Sequence, residues 1–138
     1  MVPISIEIVS PEKLLVSQSV DMVVIPGSEG DLGVLPEHSP MITLLRGGEV
    51  ILYEGERVTS RYFVTGGFAE ITGERVTVLA DTAELSSALN HADGERQLQE
   101  ANKALSEAEK VGQTDRLVAL MENVQVAQAV VDVTAAAH

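Results

Sequence analysis

The hydrophobic period of this chain changes once, and that change limits the folds open to it. Through residue 84 apolar and polar residues alternate in short runs, the period-2 signature of half-buried strands. Ile4, Ile6 and Ile8 alternate with Ser5, Glu7 and Val9 until Ser10-Pro11-Glu12 breaks the run. Val20 to Ile25 reads as an apolar strand stopped by Pro26-Gly27, and Leu32-Gly33-Val34-Leu35 is strand-like again. Met41–Leu45, Val50–Tyr53, Arg57–Thr65, Phe68–Ile71 and Val76–Leu79 continue the pattern, punctuated by Gly47-Gly48, Gly55, Gly66-Gly67 and Gly73-Glu74. Turn signals spaced by about 8–12 residues predict an antiparallel β-sandwich or barrel. No helix-length segment interrupts them, which argues against parallel βαβ architecture. Gly66-Gly67 reads as a bend requiring positive φ, with Phe68 anchoring the next strand in the core.

From Leu85 to His138 there is no proline, glycine occurs only at 94 and 112, and strong helix formers dominate. Leu98, Ala101, Leu105 and Ala108 form one helical stripe; Leu117, Leu120, Met121, Val124, Ala127 and Val131 form another. Gly112 can end the first helix, and Thr114 or Asp115 can cap the second. The expectation is a domain over 1–84 followed by an antiparallel two-helix hairpin over 85–138, its axes brought close by Ala101, Ala104 and Ala108. Few large side chains are available to bury there, so the hairpin needs a surface to lean on: the β region or another protein. A static lid and a moving arm both remain open.

Charge narrows the function. Nine Lys and Arg against 21 Asp and Glu leave a formal net charge of -12. A phosphate backbone or an anionic membrane surface needs the opposite footprint, so no nucleic acid is expected as partner. The chain has no cysteine, which excludes disulfides, thiol catalysis and thiolate metal sites. Its aromatic residues are Tyr53, Tyr62, Phe63 and Phe68, too few for stacking platforms. No apolar run approaches the ~20 residues of a membrane helix. The start at Met1-Val2-Pro3-Ile4 carries no basic segment of a signal peptide, so a soluble protein retained in its compartment of synthesis is expected.

The best candidate for chemistry is Pro26–Pro40, which holds Glu29, Asp31, Glu37, His38 and three glycines. The glycines spell G-x-x-G-x-x-G without a following lysine or helix, so there is no phosphate cradle, and the carboxylates would repel a phosphate. Three histidines in the whole chain cannot converge as a metal site. Ser28 or Ser39 beside His38 lacks a nucleophile elbow. An acidic contact surface is the favoured reading of this loop, over a solvated turn and over catalysis.

Three runs in order now carry a resemblance. They are Gly27-Ser28-Glu29-Gly30-Asp31-Leu32-Gly33-Val34-Leu35-Pro36 with His38 and Pro40, then Gly66-Gly67-Phe68-Ala69-Glu70, then Val76-Thr77-Val78-Leu79-Ala80-Asp81-Thr82-Ala83. Together they resemble the epsilon-subunit family of bacterial F-type ATP synthases, the counterpart of the mitochondrial delta subunit. The resemblance implies a ten-stranded β-sandwich at the foot of the central stalk, gripping the gamma subunit and resting on the ring of c subunits. Such a subunit rotates with them and couples proton flow to ATP synthesis on other subunits. It catalyses nothing, needs no cofactor or metal, and sits peripherally at the cytoplasmic face of the bacterial inner membrane. By the same resemblance Asp31, with Glu29 beside it, faces the c-ring, and His38 lies near gamma. Cytoplasmic loops of membrane proteins carry Lys and Arg, which an acidic loop complements. Exposed pairs contribute only about 0–1 kcal/mol each, so the firm grip on gamma must come from apolar burial.

Two departures from the family pattern matter. ATP-sensing relatives carry hydrophobic-Asp-x-x-Arg-Ala where this chain has Leu89-Asn90-His91-Ala92-Asp93-Gly94. Asn90, Asp93 and Gly94 replace the motif residues, and Asp93 sets a carboxylate where a five-donor cation is needed, so weak or no ATP binding is predicted. In the family the last helix can insert among the alpha and beta subunits, helped by basic residues. Between Gln113 and His138 this chain has Arg116 against Asp115, Glu122 and Asp132, so feeble self-inhibition is predicted. The competing readings are a free-standing acidic binding module and a small hydrolase using His38 with Glu29 or Asp31.

Overall fold

A computed structural model describes residues 3–136; Met1, Val2 and His138, which the readings above include, lie outside the described residues. The chain divides into two compact units, one ending at Ser87 and the other beginning at Ala88.

The first unit holds ten strands: β1 (Ile4–Val9), β2 (Leu14–Val20), β3 (Met22–Gly27), β4 (Gly30–Val34), β5 (Met41–Leu45), β6 (Gly48–Glu54), β7 (Arg57–Val64), β8 (Gly67–Ile71), β9 (Arg75–Ala80) and β10 (Ala83–Leu85). They join in the order β10-β7-β6-β3-β5-β8-β9-β1-β2, with β4 on β3. The pairing is antiparallel except between β1 and β9, which run parallel. The ten-stranded sandwich followed by two helices is the architecture expected.

The alternation read from sequence is what fills the core. Ile4, Ile6 and Ile8 are fully buried, and Val23, Ile25, Val50, Leu52, Ile71, Val76 and Val78 meet them from other strands. Two strands were not visible in the sequence. β2 has a polar stretch, Ser17-Gln18-Ser19, that hides its buried Val16 and Val20; β10 is only three residues long. Pro26-Gly27 does not stop β3 as expected. Pro26 pairs with Asp31 and Gly27 with Gly30, so the strand runs on to a tight hairpin.

At Gly66-Gly67 the φ values are 143° and 117°, as the bend requires, and a Cβ on Gly67 would collide with the Leu79 carbonyl. Phe68 corrects the reading of that segment. It is 41% exposed, while Ala69 and Ile71 are fully buried. Strand parity decides this, because alternate side chains face opposite ways and the core took the odd positions.

In the second unit, α1 spans His91–Lys110 and α2 spans Leu117–Ala136. Ala108 on α1 and Leu120, Ala127 and Val130 on α2 are buried. Met121, placed in the stripe by its spacing, is instead exposed. The second helix is entered through a 3-10 turn, Thr114–Arg116, preceded by Gln113, rather than from a Thr114 or Asp115 cap. Residues 114–135 are long and apolar enough, by length and composition, to cross a bilayer, an 18-residue window within them having mean hydropathy 1.2. No continuous run reveals this, because Glu122, Gln125, Gln128 and Asp132 interrupt it. One such helix is weak evidence of a span, since packed helices of soluble proteins pass the same test.

Candidate functional site

The acidic loop is a hairpin tip. β3 and β4 pair down to Gly27 and Gly30, leaving Ser28 and Glu29 as the two turn residues. Gly30 has φ 142°, and a Cβ on Gly27 would lie 2.7 Å from the Gly30 carbonyl oxygen. Only glycine fits a turn this tight at those two places. The tip is tied sideways to β5: the Ser28 N–H donates to the Leu44 carbonyl at 2.9 Å, and the Arg46 N–H to the Pro26 carbonyl at 3.0 Å.

Glu29 and Asp31 are not equivalent. Both are exposed, but the Arg46 guanidinium donates to Asp31 Oδ1 at 2.6 Å and to the Gly27 carbonyl at 2.6 Å. Glu29 makes no ion pair with any described residue. The tip therefore presents one carboxylate matched by its own chain and one open to a partner.

His38 lies in the loop between β4 and β5, half-buried. Its Nδ1 donates to the Ser39 backbone carbonyl at 2.8 Å. Glu37 before it has φ 68° and donates its N–H to the Gly73 carbonyl at 2.7 Å, pinning this loop to the β8–β9 turn. Among the described residues no hydrogen bond joins His38 to Glu29 or Asp31, and Ser39 offers its carbonyl rather than its hydroxyl. A hydrolytic relay is not assembled there. No group of three or more acidic or histidine side chains able to hold a metal occurs among the described residues. A shallow polar recess of about 170 Å³, lined by Ser5, Glu70, Thr72, Glu74, Arg75 and Thr77, is smaller than the roughly 300 Å³ at which ligand pockets begin.

Beside the tip runs an apolar row that the sequence reading missed. Ile42 is 69% exposed and Leu44 67% exposed on β5, and Leu44 pairs directly with the exposed Phe68 of β8. The signal was present: Met41-Ile42-Thr43-Leu44-Leu45 is apolar at both parities, as in a strand covered on both faces.

In the helical unit, Asn90 caps α1 by accepting from the Asp93 N–H at 3.0 Å. Asp93 pairs with Arg96 at 3.1 Å. His91 contacts the buried Thr134 hydroxyl at 2.7 Å, and the Glu95 carboxylate at 2.8 Å. Gly94 packs against α2 so closely that a Cβ would lie 2.8 Å from Val130 Cγ1. The unusual residues of this segment thus cap and clamp a hairpin.

Residues 3–86 match the family model described as the β-sandwich domain of the ATP synthase delta/epsilon chain. The chain belongs to the ATP synthase delta/epsilon chain family. The ATP synthase epsilon chain of Granulibacter bethesdensis is 52% identical over 132 residues, covering 96% of this chain and 97% of that one. The epsilon chain of Gluconacetobacter diazotrophicus is 46% identical over 125 residues, 89% of each. In fold, the chain resembles one in the Euglena gracilis mitochondrial ATP synthase structure, with TM-score 0.80 at 20% identity, covering 100% of this chain and 83% of that chain. Membership makes this a non-catalytic stalk subunit of the ATP synthase, and so part of a membrane-associated complex.

Proposed function

We propose that the β unit couples the c-ring to the gamma subunit, with the acidic hairpin tip meeting the ring and the β5 side meeting gamma. The observation that carries this is the Ser28 N–H to Leu44 carbonyl bond, which joins the charged tip to the strand bearing the apolar row. Charge at the tip orients docking against the basic loops of a membrane rotor. Apolar area at Ile42, Leu44 and Phe68 supplies the grip that exposed ion pairs cannot. His38, on the loop entering β5, borders the same gamma-facing side. The solved Euglena assembly includes a c-ring, which agrees with such a partner. The place of work is the cytoplasmic face of a bacterial inner membrane, held peripherally through the complex, as the bacterial relatives suggest. Residues 1–84 carry this docking role, and residues 85–138 form the arm that can reach alpha and beta subunits.

Amide exchange on the chain with and without purified gamma tests the assignment. Protection should concentrate in residues 38–45 and 67–70, and Leu44→Glu should abolish it. Protection confined to the helical unit, or unaffected by Leu44→Glu, would refute the gamma side. ATP should produce no binding heat at micromolar concentration, because Asn90, Asp93 and Gly94 are occupied by capping, pairing and packing.

A further inference from the structure

Arg46 follows β5 directly, and its guanidinium spans the base of the acidic tip. Nη1 donates to the carbonyl of Gly27, the last residue of β3, and Nη2 to the carboxylate of Asp31, the second residue of β4, each at 2.6 Å. Its own N–H reaches the Pro26 carbonyl at 3.0 Å. Elsewhere the join between β3 and β5 is thin, resting on a single residue pair, Gly27 with Leu45. Further back β3 is anchored by pairing with β6 at Met22, Val23 and Val24, so it is the tip end of the hairpin that depends on this thin join. A planar five-donor fork, with few conformations to lose per bond formed, suits bracing both strands at once. Arg46 is 35% exposed and Asp31 63% exposed, so the pair adds little to global stability. What it fixes is the direction in which the tip points relative to β5.

We infer that Arg46 is a positioning residue for rotary coupling: with Asp31 it braces the tip against β5, leaving Glu29 as the carboxylate that contacts the ring. This rests on the reading that the tip meets the c-ring, and it divides between two residues a role assigned jointly to both. A tip that swings freely absorbs lateral force as bending; a braced tip passes it to the strand facing the shaft.

The experiment uses the full chain and the synthase reconstituted in vesicles with it. Two readouts are taken: amide exchange at Ser28, and protons pumped per ATP hydrolysed. Arg46→Ala, which removes the bonds to both Gly27 and Asp31, should speed Ser28 exchange about tenfold, and Asp31→Asn, which weakens only the second, about threefold to fivefold. The double variant should go no further than Arg46→Ala alone, because removing the guanidinium already removes the Asp31 contact. Both singles should lower the pumping ratio, and Arg46→Lys should recover part of it by restoring charge without the fork. Glu29→Gln should lower the ratio with Ser28 exchange unchanged. Unchanged Ser28 exchange in Arg46→Ala overturns the brace. Faster exchange with a normal ratio overturns it too, and if Glu29→Gln still lowers the ratio the ring contact stands. If neither Arg46→Ala nor Glu29→Gln lowers the ratio, the ring contact itself falls, and the brace with it.

Discussion

The two units of this chain solve the same problem with opposite means. The β unit buries fully branched aliphatics from facing strands, among them Ile6, Ile25, Leu52 and Ile71, none of them exposed to solvent. The helical unit buries mostly small side chains, Ala108 and Ala127 with Gly94, and holds a polar group, Thr134, inside. Area removed from water stabilises the first. Close approach of two backbones, with a few hydrogen bonds, holds the second. A unit built the first way resists deformation, and a unit built the second way opens at smaller cost.

The largest effect should follow a cavity in the sandwich. Ile71→Ala should cost about 2–5 kcal/mol in chemical denaturation of the β unit, with the helical signal of the other unit retained. A single shared transition losing both signals together would break the contrast between the units.

Gly94→Val should come next, costing about 1–3 kcal/mol by overpacking against Val130, a stiff β-branched neighbour. Its effect should appear in far-UV helicity on melting, and Val130→Ala in the same chain should return part of the loss. An unperturbed melt would show that the helices do not meet as closely as the backbone geometry requires.

A smaller loss, about 1 kcal/mol, should follow Thr134→Val, which keeps the shape and removes one of the polar contacts of His91. Hairpin exchange rates near residues 90–94 measure it, and unchanged rates would assign the clamp to Gly94 alone. The smallest effect is expected from deleting everything after Ala88: ATP hydrolysis by the assembled enzyme should stay close to its starting rate. A several-fold rise would mean that the arm inhibits strongly although its last stretch, 113–138, has Arg116 as its one basic side chain against Asp115, Glu122 and Asp132.

Much of the fold was legible because its signals are local. Ile4-Ser5-Ile6-Glu7-Ile8 announces a half-buried strand wherever it is placed, and the proline-free segment after Leu85 announces helices. The strands that escaped, β2 and β10, lack that signature: one is polar along its middle and the other too short to show a period. The candidate site was legible as composition and not as geometry. Glu29 and Asp31 are visible as acidic residues in a glycine-rich loop. That Arg46, fifteen residues further on, matches Asp31 and leaves Glu29 open is a matter of strand pairing.

Sequence alone determined the class of each unit, the sign of the charge and the absence of thiol chemistry, because period and composition need no neighbours to be read. Tertiary structure alone decided which parity of β5 and β8 faces outward, so that Phe68 lies beside Leu44 instead of in the core. It also decided which carboxylate of the tip is braced. Both depend on which strands become neighbours, and that is settled by the burial of the whole sheet, far from the residues concerned.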